Sequence, residues 1–113
     1  MLKPGAMLRV FALSSCDTCR AALQALRAAG HEPQVTDLRA LPPQDLAAII
    51  AAFGPAALNR ASTTWRELAD SEKARPMADL LADYPTLIKR PVIAHGDAWH
   101  QGWTPQVRAA LEL

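Results

Sequence analysis

The segment 7-MLRVFALSSCDTCRAALQALRAAG-30 constrains the fold more than any other. Met7 to Leu13 is a short, apolar, partly β-branched run with the character of a buried strand, and it stops at two serines. Behind the serines stand Cys16 and Cys19, the two cysteines of the chain. Ala22, Leu23, Leu26 and Ala29 then recur at helical spacing, and Gly30 occupies the place of a helix-ending glycine. A strand that passes through Cys-x-x-Cys into a helix sets the first thiol at the helix N-terminus. Backbone N–H groups and the positive end of the helix dipole stabilise a thiolate there, which makes Cys16 the expected nucleophile. Cys19, about one turn inside the helix, is placed to attack a mixed disulfide on Cys16 and release the reduced product.

Other uses of the pair stay open on spacing alone. Zinc would need two further ligands, and His95 and His100 offer a His-x4-His spacing, although the gap from Cys19 far exceeds that of a zinc finger. Alternatively, the cysteines are small buried apolar residues, a role that the neighbouring Ser14, Ser15 and Asp17 disfavour. Redox chemistry leads because the motif sits between strand and helix. The chain has 113 residues, a length that fits one domain with an ordinary core. With 50% apolar and 20% charged residues and no long apolar run, a soluble globule is expected, with no membrane partner. A net charge of +1 with scattered basic residues disfavours direct nucleic-acid binding. The N-terminal stretch lacks a signal-peptide pattern, which points to a reducing cytoplasm, where a close thiol pair is catalytic or metal-binding more often than structural.

Further along, Gln34 to Leu38 is expected as a second strand ahead of the Leu41-Pro42-Pro43 break. Residues from about 43 to 84 read as all-helical. Leu46, Ile49, Ile50 and Phe53 are spaced for one helix ended by Gly54-Pro55, and 64-TWRE-67 has capping-box spacing. Met77, Leu80, Leu81 and Tyr84 suggest another helix after Pro76. Strands return at Val92 to Ala94 and Trp99 to His100 around a His95-Gly96-Asp97 turn, and Thr104-Pro105 supplies N-cap and N1 for a last helix. The order is β-α-β, helices, β-β-α, in one domain over 1–113, with residues 1–6 expected as a loose extension.

Three segments together carry a family resemblance: 16-CDTC-19, 59-NRASTTWREL-68 and 85-PTLIKRPVI-93. The chain resembles the arsenate reductase-related family, which includes glutaredoxin-type arsenate reductases, Spx regulators and YffB-like proteins, from Met7 to about Leu111. The resemblance implies an α/β thioredoxin-like fold with a helical insertion between strands 2 and 3, and a cis peptide bond before Pro91. It matches Cys16 to the redox-active cysteine, Arg60 to the arginine of the insertion and Arg90 to the arginine before the cis-proline. Alone, Arg60 reads as a solvated side chain and Arg90 as a cap on backbone carbonyls. In the family role, two guanidinium groups facing a thiolate would lower its pKa and hold an oxyanion or a glutathione carboxylate. Arsenate reductases of this type carry an Asn-Pro-x-Cys-Gly-Thr-Ser-like signature, of which only Cys16 and Thr18 match here, and their third anion-binding arginine has no counterpart in 101-QGWT-104. Cys-Asp-Thr looks YffB-like, while Cys19 and the Gln-Gly-Trp segment also suit Spx-like proteins.

The resemblance therefore implies a thiol-dependent reductase in which Cys16 attacks and Cys19 or glutathione resolves the adduct. No bound cofactor is expected; glutathione is the implied co-substrate, a small thiol or oxyanion the substrate, and glutaredoxin a possible partner. Arsenate reduction and an Spx-like redox sensor that binds RNA polymerase are the alternatives. Trp65, Trp99 and Trp103 read as packing residues first and as groove residues second. His31, after the helix end, is expected at the surface, and Asp17 and Glu67 as acids in the first turns of helices.

Overall fold

The structure, a computed structural model, describes residues 7–113, so the extension expected at 1–6 lies outside the described residues. In chain order the elements are β1 (Leu8–Ala12), α1 (Asp17–Ala28), β2 (Gln34–Asp37), α2 (Pro43–Phe53), α3 (Thr63–Glu67) and α4 (Asp70–Lys73). They continue with α5 (Met77–Asp83), β3 (Val92–His95), β4 (Ala98–Gln101) and α6 (Pro105–Ala110). Two compact units divide them: one holds the residues through Asp37 together with Arg90–Leu113, the other Leu38–Lys89.

The first unit is built on a four-stranded sheet of order β2-β1-β3-β4. β1 and β2 run parallel across α1, whereas β3 is antiparallel to β1 and to β4. This is the thioredoxin-like α/β arrangement that the resemblance implies. The alternation of β1 turns Leu8, Val10 and Ala12 to one face, where they join Ile93, Cys19 and Leu26 of α1, and Val107 and Leu111 at the chain's end, in one buried cluster. Leu26 is fully buried, and shortening such a leucine to alanine costs ~2–5 kcal/mol. On the opposite face Phe11 stacks on Trp99 at 6.1 Å between centroids, with the Arg9 guanidinium 4.7 Å from the Phe11 ring.

Local chemistry sets the helix ends. At the end of α1 the Gly30 N–H donates to the Arg27 carbonyl and the His31 N–H to that of Leu26, a Schellman closure. Gly30 has φ +93°, a left-handed conformation that a Cβ would strain. Thr104 caps α6 by accepting the Val107 N–H at 3.2 Å, with Pro105 as the first helical residue. His95 belongs to β3, leaving Gly96-Asp97 as a two-residue turn.

In the second unit, α2 buries Leu46 and Ile49, and α5 buries Leu80 and Leu81. The Leu58–Ile88 bridge, flanked by the Asn59 N–H on the Leu87 carbonyl (2.8 Å) and the Lys89 N–H on the Ala57 carbonyl (2.9 Å), knits its later half together. Fully buried Leu38, Leu87 and Ile88 bring residues outside 43–84 into this unit, which accordingly runs from 38 to 89. The capping box expected at Thr64 is corrected: Ser62 caps α3 by accepting the Trp65 N–H at 3.2 Å. Asn59 explains the shift, since its carbonyl takes the Ser62 N–H and its side chain the Ala61 N–H, which sets Ser62 at the helix start. Glu67 therefore ends α3 rather than sitting in its first turn. Among the described residues no helix is long and apolar enough to cross a membrane.

Candidate active site

β1 delivers the chain to a tight turn, closed by the Cys16 N–H on the Leu13 carbonyl at 3.1 Å. Cys16 is the N-cap of α1, in extended backbone conformation, and its Sγ accepts the Cys19 N–H at 3.4 Å. Its own carbonyl accepts the Arg20 N–H at 3.0 Å. The sulfur thus takes the position of a capping oxygen, directed at the N–H groups of the first turn. Asp17 lies in that first turn, as expected, and pairs with Arg20, whose guanidinium also donates to the Ser14 carbonyl at 3.1 Å. Arg20 fastens the loop to the helix that follows it. Sequence reasoning passed over this residue, although the i,i+3 spacing from Asp17 was its visible signal.

The two thiols part in environment. Cys16 is half-buried and Cys19 is fully buried, both as free thiols. Partial burial pushes the Cys16 thiol up, but the Cys19 N–H, the Cys19 thiol and the Arg90 guanidinium together outweigh that push and hold it below the ordinary thiol range. For Cys19 burial dominates: with a further upward push from Cys16, it drives the thiol to about 11 against the opposing help of the Leu13 backbone and Arg90. The pKa ordering is the one expected, with Cys16 below Cys19.

Arg90 precedes Pro91 across a cis peptide bond, and its guanidinium hydrogen-bonds the Cys16 sulfur. The Pro91 carbonyl accepts the Gly102 N–H at 2.8 Å, which ties the exit of β4 to the same segment. The first unit therefore gathers Cys16, Cys19, Arg90 and Pro91. Arg60 lies exposed in the second unit, its guanidinium 5.6 Å from the Trp65 centroid, with the Lys73 ammonium 5.4 Å from the same ring. Trp65 is thus a cation platform, and Trp99 a packing partner of Phe11.

Zinc finds no support: among the described residues no group of three or more His, Cys, Asp and Glu side chains is placed to hold a metal ion. His95 and His100 lie on β3 and β4, and burial, with the nearby His95, holds the His100 imidazole below the usual histidine range. His31 is half-buried just behind Gly30.

Comparison with known proteins extends these observations over nearly the whole chain. It is 35% identical over 94 residues to an uncharacterized Haemophilus influenzae protein, covering 77% of this chain and 82% of that one. Among solved structures it is similar to the YFFB (PA3664) protein, with a TM-score of 0.83 and 29% identity over 92% of this chain and 97% of that one. An arsenate reductase-related protein of Brucella melitensis shares the fold at a TM-score of 0.73, with 24% identity over 98% and 99% of the two chains. Arsenate reductase from Vibrio cholerae does so at 0.73 as well, with 19% identity over 95% and 97%. The ArsC family model matches residues 11–110, a span that takes in the Cys16 turn, both arginines and the cis-proline, and the chain belongs to the ArsC family.

Proposed function

We propose that this protein is a thiol-disulfide oxidoreductase of YffB type that reduces glutathionylated substrates with glutathione as co-substrate. The observation that carries the reading is the Cys16 sulfur at the N-cap of α1, bonded by the Cys19 N–H and by the Arg90 guanidinium. These contacts favour the thiolate, which is the form that attacks a disulfide. It attacks the glutathionyl sulfur of a mixed disulfide; the substrate sulfur leaves with the bond's electron pair and takes up a proton as a free thiol. Cys16 is then linked to glutathione. A second glutathione, as thiolate, attacks the glutathionyl sulfur of that adduct, releasing glutathione disulfide and restoring the Cys16 thiolate.

Resolution from outside is favoured over attack by Cys19, because Cys19 is fully buried in an apolar cluster and its thiol is pushed up to about 11. In this reading Arg90 orients the anionic co-substrate as well as the thiolate, and Arg60 keeps the anion-binding role that the family resemblance implies. Glutaredoxin is the partner to test in place of the second glutathione: its thiolate would attack the glutathionyl sulfur of the adduct, free the Cys16 thiolate and leave glutaredoxin as the mixed disulfide. The experiment is turnover of a glutathionylated peptide by the full chain with glutathione, wild type against Cys16→Ser. Turnover lost in Cys16→Ser supports the reading. Arsenate reduction, or RNA polymerase capture in a pull-down, without peptide turnover would replace it with one of the alternatives.

A further inference from the structure

The chain that leaves β4 beside Pro91 leads to a second cation, Arg108. Phe11, Val92 and Gln101 stand side by side in register, so the end of β1, the start of β3 and the end of β4 adjoin. The Gly102 N–H on the Pro91 carbonyl at 2.8 Å then ties the exit of β4 to the segment whose arginine bonds the Cys16 sulfur. Trp103 comes next, half-buried and packed on the core cluster against which Cys16 also packs. Arg108, about one turn into α6 and exposed, lays its guanidinium 5.8 Å from the Trp103 centroid. A guanidinium held against an aromatic ring by cation–π attraction has N–H donors that can bond a carboxylate in a fork.

We propose that Trp103 and Arg108 form a carboxylate subsite for acidic disulfide substrates, with the carboxylate on the Arg108 edge and the chain between carboxylate and sulfur against the Trp103 ring. This rests on Cys16 being the attacking thiol, as set out above, and adds a selectivity: Arg108 favours anionic over neutral disulfides.

The test measures the second-order rate of Cys16 in the full chain with two disulfide probes, the dianionic dithiobis(nitrobenzoate) and the neutral dithiodipyridine. Arg108→Gln should slow the dianionic probe about fivefold and leave the neutral one within about 1.5-fold, and Arg108→Lys should recover part of the loss. The difference should shrink at ~1 M salt, where the Debye length falls to about 3 Å. Trp103→Leu should reduce the same preference by removing the platform, and Trp103→Phe should retain more of it. Equal slowing of both probes in Arg108→Gln, or no change in either, overturns the subsite. The preference is read from stoichiometric attack, so it can fail while Cys16 chemistry stands. A Cys16→Ser protein that reacts as fast as wild type would instead overturn the reading on which the subsite rests.

Discussion

Cys19 sits where a resolving thiol belongs by sequence, and its surroundings make it a slow one. With the thiol at about 11, only ~1 part in 10,000 is thiolate at pH 7, against ~3% for an ordinary thiol. That is a ~300-fold shortfall. The higher intrinsic nucleophilicity of a more basic thiolate returns about tenfold of it, leaving intramolecular resolution ~30-fold slower than for an ordinary thiol in the same place. The perturbation is to load Cys16 with glutathione, remove all external thiol and follow loss of the adduct by mass spectrometry as a function of pH. Burial, the largest cause of the Cys19 shift, persists in the adduct, whereas the push from the Cys16 sulfur goes. The release rate should therefore keep rising about tenfold per pH unit past pH ~9, and the Cys19→Ser adduct should persist throughout. A plateau at pH ~8.5 would show an ordinary thiol and refute the argument that burial disables Cys19.

The same shift predicts an alkaline loss of stability. Cys19 ionises near pH ~8.5 in the unfolded chain and at about 11 in the fold, so its contribution is intact below pH ~8.5 and is lost as pH rises toward 11, about 3 kcal/mol in all. Denaturant unfolding should show this loss in wild type and not in Cys19→Ala; parallel curves for the two proteins would contradict it. Cys16 has the opposite sign: its depressed pKa adds stability above the unfolded value, lost as pH falls through the folded one. Arg90→Ala should raise the Cys16 pKa, Arg90→Lys should raise it less, and alkylation rate against pH measures both; an unmoved profile in Arg90→Ala removes Arg90 from the site. Thr104→Ala should destabilise the protein by ~1 kcal/mol through loss of the α6 cap, and an unchanged unfolding midpoint would show that the cap contributes nothing.

What was legible in the sequence is what local chemistry decides. The thiol at the start of α1, the glycine closure after it, and Thr104-Pro105 at the start of α6 each depend on residues within a few positions, and each is found where the pattern placed it. Strand neighbours and the cis bond at Pro91 were supplied by the family resemblance, because no periodicity reports which strands pair. Capping-box spacing pointed to Thr64 for α3, and the cap is Ser62 instead because the turn at Asn59 fixes the chain ahead of the helix. The extent of the second unit rests on burial of Leu38, Leu87 and Ile88, and the Leu58–Ile88 bridge within it spans thirty residues and leaves no local mark. Burial of Cys19 is likewise a tertiary outcome. Its helical position was readable, but the apolar neighbours that raise its pKa come from β1, β3 and α6. Trp103 and Arg108 are five residues apart across a helix start, outside the i,i+3 and i,i+4 spacings that reveal paired side chains in sequence.

The claim on which the account turns is that the N-terminus of α1 and Arg90 hold the Cys16 thiol below its ordinary pKa and so favour its thiolate. Ultraviolet absorbance titration of the Cys19→Ser protein, which leaves Cys16 as its one thiol, tests it most directly. The account predicts that thiolate absorbance develops below the ordinary thiol range and that its midpoint moves up in Arg90→Ala. A midpoint at the ordinary value, near pH ~8.5, with or without Arg90, would contradict it.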